Sequence, residues 1–292
     1  MLIQLFLNGL ISGSIYALIA IGFTIIYRTV KFFNLAHGIV YTVGAYLCYT
    51  LFKILHLGFL PSFFLSIVLT GLLGVAIDRS VYYPLRQRKS SNLILLLASF
   101  GVFIFIQNLI QFIYGAQILT LRTGPIKVGH SVFSAIITDN QIIILVTSLV
   151  LMLALWLFVR RTKLGKALQS VSDDPVAASV VGINPEKTIM VTFAIGSALA
   201  GAAGILISLE TNIEPTMGFM AILKGIIASI VGGIGSIPGA MFGGFFLGLV
   251  ENLGIWKIPA AWKDSIAFLI LIIFLLWRPQ GIFGSKHEDV ST

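Results

Sequence analysis

Long apolar runs alternate with short polar connectors along the whole chain. Residues 2–27, 32–52, 54–77, 90–121, 140–159, 188–209, 225–250 and 265–277 contain no Asp, Glu, Lys or Arg. A helix needs about 20 apolar residues to cross a ~30 Å hydrocarbon core, so most of these windows are long enough to span a bilayer. The last is short alone and reaches spanning length if residues 260–264 sit in the interface. Strand-like alternation at period two is absent, and backbone without water must pair within helices. The pattern predicts an all-α protein, a polytopic transmembrane helical bundle of about eight to nine membrane segments. Residues 1–292 form a single transmembrane domain.

One hydrophilic island interrupts the apolar pattern, residues 160–187, reading RRTKLGKALQSVSDDPVAASVVGINPEK. Within it Asp173, Asp174, Pro175, Ala177, Ala178 and Gly182 spell a self-contained short helix. An Asp at the N-cap accepts orphan backbone N–H bonds, and Pro suits the first helical position. The alanines favour helix in the body. Gly182 can adopt the left-handed conformation that ends a helix, and Pro185, after Asn184, forbids continuation. A plain solvated loop has no need of such caps. A short helix with an apolar face of Ala177, Ala178, Val180 and Val181 suits insertion into a groove on a partner protein.

The region around 219–250 breaks the spacing. Its flanking loops are acidic or neutral, so it enters and leaves on one side, yet it offers only 32 residues with Gly232, Gly233, Gly235 and Gly239 in the middle. Two full spans scarcely fit. A pair of short helices, or a re-entrant dip broken at the glycines, is expected, and non-helical backbone at depth needs cover from protein or a water-filled cavity. Small residues also recur every four positions, at Gly9/Gly13, Gly196/Ala200/Gly204, Ala194/Ala198/Ala202 and Gly235/Gly239/Gly243. Such stripes let helix backbones approach closely within the bundle or between subunits.

Composition confirms a membrane protein: 58% of the 292 residues are hydrophobic and only 10% charged, against roughly 25% charged in soluble domains. Mean hydropathy is +1.01. The net charge of +8 does not point to nucleic acid, because the basic residues cluster in alternate connectors. Arg28, Lys31, Arg79, Arg86, Arg88, Lys89, the island's basic residues, Arg278 and Lys286 fall into one set of loops. The positive-inside rule places that set, with the island and the C-terminus, in the cytoplasm, and the N-terminus outside. No basic residue precedes the first apolar run, so a removable signal peptide is not expected. A single cysteine, Cys48, excludes an intramolecular disulfide and thiolate metal clusters.

Candidate chemistry is sparse. No G-x-x-x-x-G-K-[ST] phosphate loop, H-E-x-x-H pair, G-x-S-x-G elbow or paired buried carboxylates are recognisable, and His37, His56, His130 and His287 are scattered. The expectation is a non-enzyme with no catalytic residue, no metal site and no cofactor of its own. Asn34, His37 and Gly38 begin a helix after a basic loop; Asn34 is either its N-cap or part of a turn whose half-helix end faces a translocation path. Lys224 lies inside an apolar run. It either lines a path, as charges at depth commonly do, or snorkels to the outer interface or pairs with Glu214. Gln107, Asn108 and Gln111 form a polar patch that lines a path or bonds between helices. The path candidates are thus Asn34, His37, Gly38, Gln107, Lys224, Gly232, Gly233 and Gly235.

Several stretches together resemble the membrane permease subunits of ABC importers of the branched-chain amino acid type. They are Leu7-Asn8-Gly9-Leu10, the run from Gly13-Ser14-Ile15-Tyr16-Ala17 to Gly22, Asn34-Leu35-Ala36-His37-Gly38, the island, Gly232-Gly233-Ile234-Gly235-Ser236-Ile237-Pro238-Gly239-Ala240, and Arg278-Pro279-Gln280-Gly281. In that family an E-A-A-x-x-x-G signature marks a cytoplasmic coupling helix that seats in a cleft of the ATPase subunit. Ala177, Ala178 and Gly182 match it, and Val176 stands where the glutamate would be. The resemblance implies separate ATPase subunits carrying ATP and Mg, a second permease subunit (identical or paralogous) and an external substrate-binding protein. Glu210 and Glu214, in an acidic outer loop, are the candidate contact for the binding protein. The implied location is the inner or plasma membrane of a prokaryote. The implied cargo is a branched-chain amino acid or a similar small amino acid or amide. A stand-alone channel or ion-coupled secondary transporter is the alternative, and it would need intramembrane acids that the spans hardly offer.

Overall fold

A computed structural model describes residues 1–122, 129–132 and 135–284 of the chain. Helices α1 (Leu2–Val30) and α2 (Ala36–Tyr49) come first, α2 being prolonged by a π-helical segment, Thr50–Ile54. Helix α3 (Phe59–Ile77) continues through a second π segment, Asp78–Tyr82, into α4 (Tyr83–Gln87). After α5 (Asn92–Tyr114) comes a two-stranded antiparallel hairpin, β1 (His130–Val132) and β2 (Ala135–Ile137). Helices α6 (Asp139–Arg161), α7 (Lys163–Asp173), α8 (Pro175–Val180) and α9 (Pro185–Ile207) follow. The chain then forms α10 (Met217–Gly232), α11 (Ile237–Gly254) and α12 (Lys263–Trp277).

Seven helical stretches among the described residues are long and apolar enough to cross a membrane, and α10 is a shorter apolar helix. The buried α2 with its π extension completes a set of nine rods, within the expected eight to nine. Their burial is uneven in a way lipid explains. The central α1 and α9 are largely enclosed, whereas α5, α6 and α12 expose most of their apolar surface. A helix that is apolar all round needs no polar face when its outer surface meets hydrocarbon.

The small-residue stripes are used within the chain. Gly9 and Gly13 face Leu249 and Phe245 of α11, and a Cβ on Gly13 would lie 2.9 Å from the Phe245 Cα. Gly248 in turn abuts Gly13, Gly244 abuts Ala17, Gly204 abuts the Tyr41 carbonyl and Gly243 the Ala228 carbonyl. Packing rather than hydrophobicity drives helix association in lipid, so such contacts hold the bundle together.

These contacts orient the elements. Helix α11 runs antiparallel to α1, so the α10–α11 turn lies beside the end of α1 near Arg28, with the island. Two ends can therefore be named. The island end carries α7, α8, the α10–α11 turn and the segment after α12. The hairpin end carries Met1, the hairpin and residues 209–214, where Leu119 and Ile213 form an isolated bridge. The hairpin was not foreseen from periodicity. Its strands are three residues long, and Gln4 extends them by bonding both backbone groups of Ile136 at 2.8 and 3.0 Å.

The region around 219–250 is a pair of helices joined at the glycines, the shorter α10 of 16 residues and α11 of 18 residues. Helix α11 is long enough to span, so one full span fits where two were expected scarcely to fit. Gly233 and Gly235 take φ +113 and +88 in the turn between α10 and α11, which side chains with a Cβ adopt only under strain. The turn is covered by protein: Ile282 and Phe283 donate their N–H groups to the carbonyls of Val231 and Gly232 at 2.9 Å. Gly233 is also packed against the backbone of Gly284 and Gly281.

Candidate functional site

Helix α8 forms as its sequence dictates. Asp174 is the N-cap, its carboxylate accepting from Val176 N at 2.8 Å and Ala177 N at 3.0 Å, and Pro175 opens the first turn. At the other end Ile183 N bonds the Ala178 carbonyl and Gly182 N the Ser179 carbonyl, with Gly182 at φ +86. That pairing is a Schellman termination. Asn184 then caps α9, its side chain accepting from Lys187 N at 3.1 Å. The exposed face keeps Ala177, Val180 and Val181 of the expected set, gains Val176 and loses Ala178. Ala178 turns inward and is buried, while Val176, Val180 and Val181 are 72–81% exposed. The spacing 176, 180 places two of these valines one above the other. They form an uncovered apolar face at the island end, flanked by Ala177.

Helix α7 lies against the bundle through Gly165, Leu168, Val171 and Ser172 and exposes Lys163, Leu164 and Lys166. Two ion-pair systems anchor the island. Arg28, in the last turn of α1, bonds Asp173 at 3.0 Å. Arg86 of α4 bonds both Asp78 at 2.6 Å and Glu186, in the first turn of α9, at 3.0 Å. Asp78 is fully buried. Tyr82, on the same π segment, donates to the Asn34 side chain at 2.8 Å. Asn34 is therefore not the side-chain cap of α2, whose N-cap is Leu35 without a side-chain bond. It joins the connector before α2 to the π segment after α3.

The eight path candidates do not gather in one place. His37 is buried against Gly22 of α1. Neither of its ring nitrogens makes a well-formed hydrogen bond among the described residues, and the Ile19 backbone faces the ring. Gly38 gives α2 a close contact with Gly218 and Ile222 of α10. Gln107 is half-buried on the peripheral α5. Gly232, Gly233 and Gly235 belong to the covered turn at the island end.

Lys224 sits elsewhere again, and the pairing with Glu214 is not formed. Its ammonium bonds Glu251 at 3.2 Å and Asp264 at 2.8 Å, and lies 3.1 Å from the Tyr16 hydroxyl. Tyr16 donates to the same Glu251 carboxylate at 2.8 Å. Lys263 bonds the neighbouring Asn252 at 3.2 Å. Glu251 is fully buried, as a paired carboxylate can be. The sequence reading missed this cluster and Asp78 alike, because Glu251 and Asp78 each stand immediately after an apolar run, where an acid looks like the start of a connector. The available signal was Lys224, a lone cation in an apolar run that demanded a partner.

Beside Lys224 lies a cavity of about 290 Å³, bounded by α1, α2, α10 and the end of α9. A second cavity of about 410 Å³ lies at the island end among Arg28, Trp156, Arg160, Gln169 and Pro238. Glu210 and Glu214 are at the hairpin end, where Glu210 accepts from Gln141 at 2.8 Å and Glu214 is exposed.

Residues 5–275 match the family model described as the branched-chain amino acid transport system permease component. The chain is 39% identical to the high-affinity branched-chain amino acid transport system permease protein LivH of Escherichia coli, over 98% of this chain and 97% of that one. Identity to the corresponding BraD protein of Pseudomonas aeruginosa is also 39%, with the same coverage. A probable LivH of Methanocaldococcus jannaschii is 30% identical over 95% of this chain and 91% of its own. Among solved structures, PsaBC from Streptococcus pneumoniae in complex with Fab shares the fold, with a TM-score of 0.53 at 15% identity over 94% of this chain and 92% of that one. With apolar helices throughout and these matches over nearly its full length, the chain belongs to the family of branched-chain amino acid transport permease components and is a multi-pass membrane permease subunit of an importer.

Proposed function

We propose that this subunit forms the translocation path of an ATP-driven importer for branched-chain amino acids or similar small amino acids and amides. ATP and Mg are bound by separate ATPase subunits, a second permease subunit (identical or paralogous) completes the path, and an external binding protein delivers the cargo. The observation that carries this reading is α8: capped by Asp174, closed at Gly182, and presenting Val176 and Val180 outward. An apolar helix face of this kind fits a groove on a partner. With Val176 at the position of the family's glutamate, docking rests on shape and apolar contact.

The island end and the C-terminus face the cytoplasm in this account, and the hairpin end faces outward. The basic residues Arg28, Lys31, Arg160, Arg161 and Lys163 at the island end support that orientation. Glu210 and Glu214 then stand where a binding protein docks.

Closure of the ATPase pair displaces α8. Asp173–Arg28 passes the displacement to α1, and Glu186–Arg86–Asp78 passes it to α9 and to the α3–α4 rod. Because α1 and α9 form the bundle centre, their rocking changes which end of the path is open. The experiment is uptake of labelled leucine into proteoliposomes holding the permease pair, ATPase subunits and binding protein. Uptake that requires ATP inside is expected. Downhill or proton-driven leucine flux through the permease alone overturns the reading in favour of a channel or secondary transporter.

A further inference from the structure

We propose that the cavity beside Lys224 is where this subunit holds its cargo in transit, as an aliphatic amino acid zwitterion with its carboxylate on Lys224 and Tyr16. This rests on the importer reading above. The cavity reaches from the hairpin end, at Thr211 and Met217, inward to Tyr16 at the middle of α1. Its volume of about 290 Å³ lies at the low end of ligand pockets, which begin near 300 Å³, and so suits a small solute.

Its walls divide by chemistry. Ile15, Ile19, Ile207 and Ala221 make an aliphatic surface, and Met217 and Met220 stand toward the mouth. Methionine adapts its shape to different apolar groups. A polar or charged side chain entering here would lose hydration without a partner, which is costly. Among the described residues, Lys224 is the one charged residue lining the cavity, and Tyr16 lines it alongside. Tyr41 and Thr211 add hydroxyl oxygens that can accept from an ammonium group.

The ion cluster prepares the cation for an incoming carboxylate. Glu251 is fully buried behind the wall and bonded to both Tyr16 and Lys224, so it fixes their positions. Asp264, at 2.8 Å from the same ammonium, is 48% exposed. An exposed partner contributes little, so a cargo carboxylate can take its place while Asp264 returns to water. An ion cluster that served packing alone would need no apolar cavity on the open side of its lysine.

The test uses the complete transporter, with its own ATPase, partner permease and binding protein, and reads initial uptake of leucine, valine and alanine. In Ala221→Phe, which narrows the aliphatic wall, leucine uptake is expected to fall relative to alanine uptake by about tenfold, the discrimination that small volume changes give in apolar pockets. Met220→Ala, at the exposed mouth, is expected to shift the ratio the opposite way and serves if Ala221→Phe does not assemble. Leucine-to-alanine ratios that stay at the wild-type value in every variant that co-purifies with its partners overturn the site while leaving the importer reading intact. Wild-type uptake of these amino acids that needs no ATP overturns the importer reading, and the site with it.

Discussion

The Asp173 carboxylate lies 3.0 Å from the Arg28 guanidinium, tying the residue ahead of the island helix to the last turn of α1. Both side chains are solvent-accessible, at 71% and 26%. Exposed pairs contribute about 0–1 kcal/mol to stability. Asp173→Asn is therefore expected to leave thermal unfolding within a few degrees of wild type, while raising the ATP hydrolysed per leucine transported. A variant with unchanged coupling would show that this contact carries no motion.

The N-cap contributes locally. Asp174→Ala removes the acceptor of two backbone N–H groups, a loss of about 1 kcal/mol. Amide exchange across Val176–Val180 is expected to accelerate about fivefold while the spanning helices keep their protection. Uptake should fall with normal membrane levels of the protein. Exchange accelerating equally in α9 and α1 would contradict a local role.

The Arg86 fork is a different matter because one partner is inaccessible. Asp78 is fully buried, whereas Glu186 is 33% exposed. Removing the cation with Arg86→Met strands a buried carboxylate, which costs about 3–5 kcal/mol. Glu186→Gln should cost under about 1 kcal/mol. Folded yield after detergent extraction, measured by size-exclusion chromatography, checks the order. Equal loss in the two variants would mean that Asp78 is not held by Arg86.

How far the sequence could be read follows from which interactions it displays. The spans were legible because lipid selects for uninterrupted apolar residues, and α8 was legible because Asp174, Pro175 and Gly182 act within one turn of themselves. The stripe at Gly9 and Gly13 announced close packing but not its partner, since Gly244 and Gly248 lie more than two hundred residues away. The inward turn of Ala178 was hidden because a six-residue helix is too short to show a periodicity. Gly232, Gly233 and Gly235 read as a break at depth, although Gly232 and Gly233 pair with or pack against Phe283 and Gly284. The Tyr16–Lys224–Glu251–Asp264 cluster joins four helices, and no local pattern links its members.

That cluster allows a double-variant test. Lys224→Met alone leaves Glu251 buried with a diminished set of partners and is expected to destabilise the protein by about 3–5 kcal/mol. Adding Glu251→Met removes the stranded charge, so thermal stability should recover by more than half. Leucine uptake should stay lost in both. Additive losses of stability would show that the two side chains do not depend on each other.

The most direct measurement of the central claim, that α8 is the ATPase docking element, is photocrosslinking from its exposed face. Cys48, the chain's single cysteine, is buried, so a thiol-coupled benzophenone attached to the isolated Val180→Cys subunit before assembly labels one place on this chain. In membranes containing the whole transporter, Val180→Cys and Val176→Cys are predicted to crosslink to the ATPase subunit, and an Ile136→Cys control at the hairpin end is not. No crosslink to the ATPase from either valine position, with the complex intact and transporting, would contradict the account.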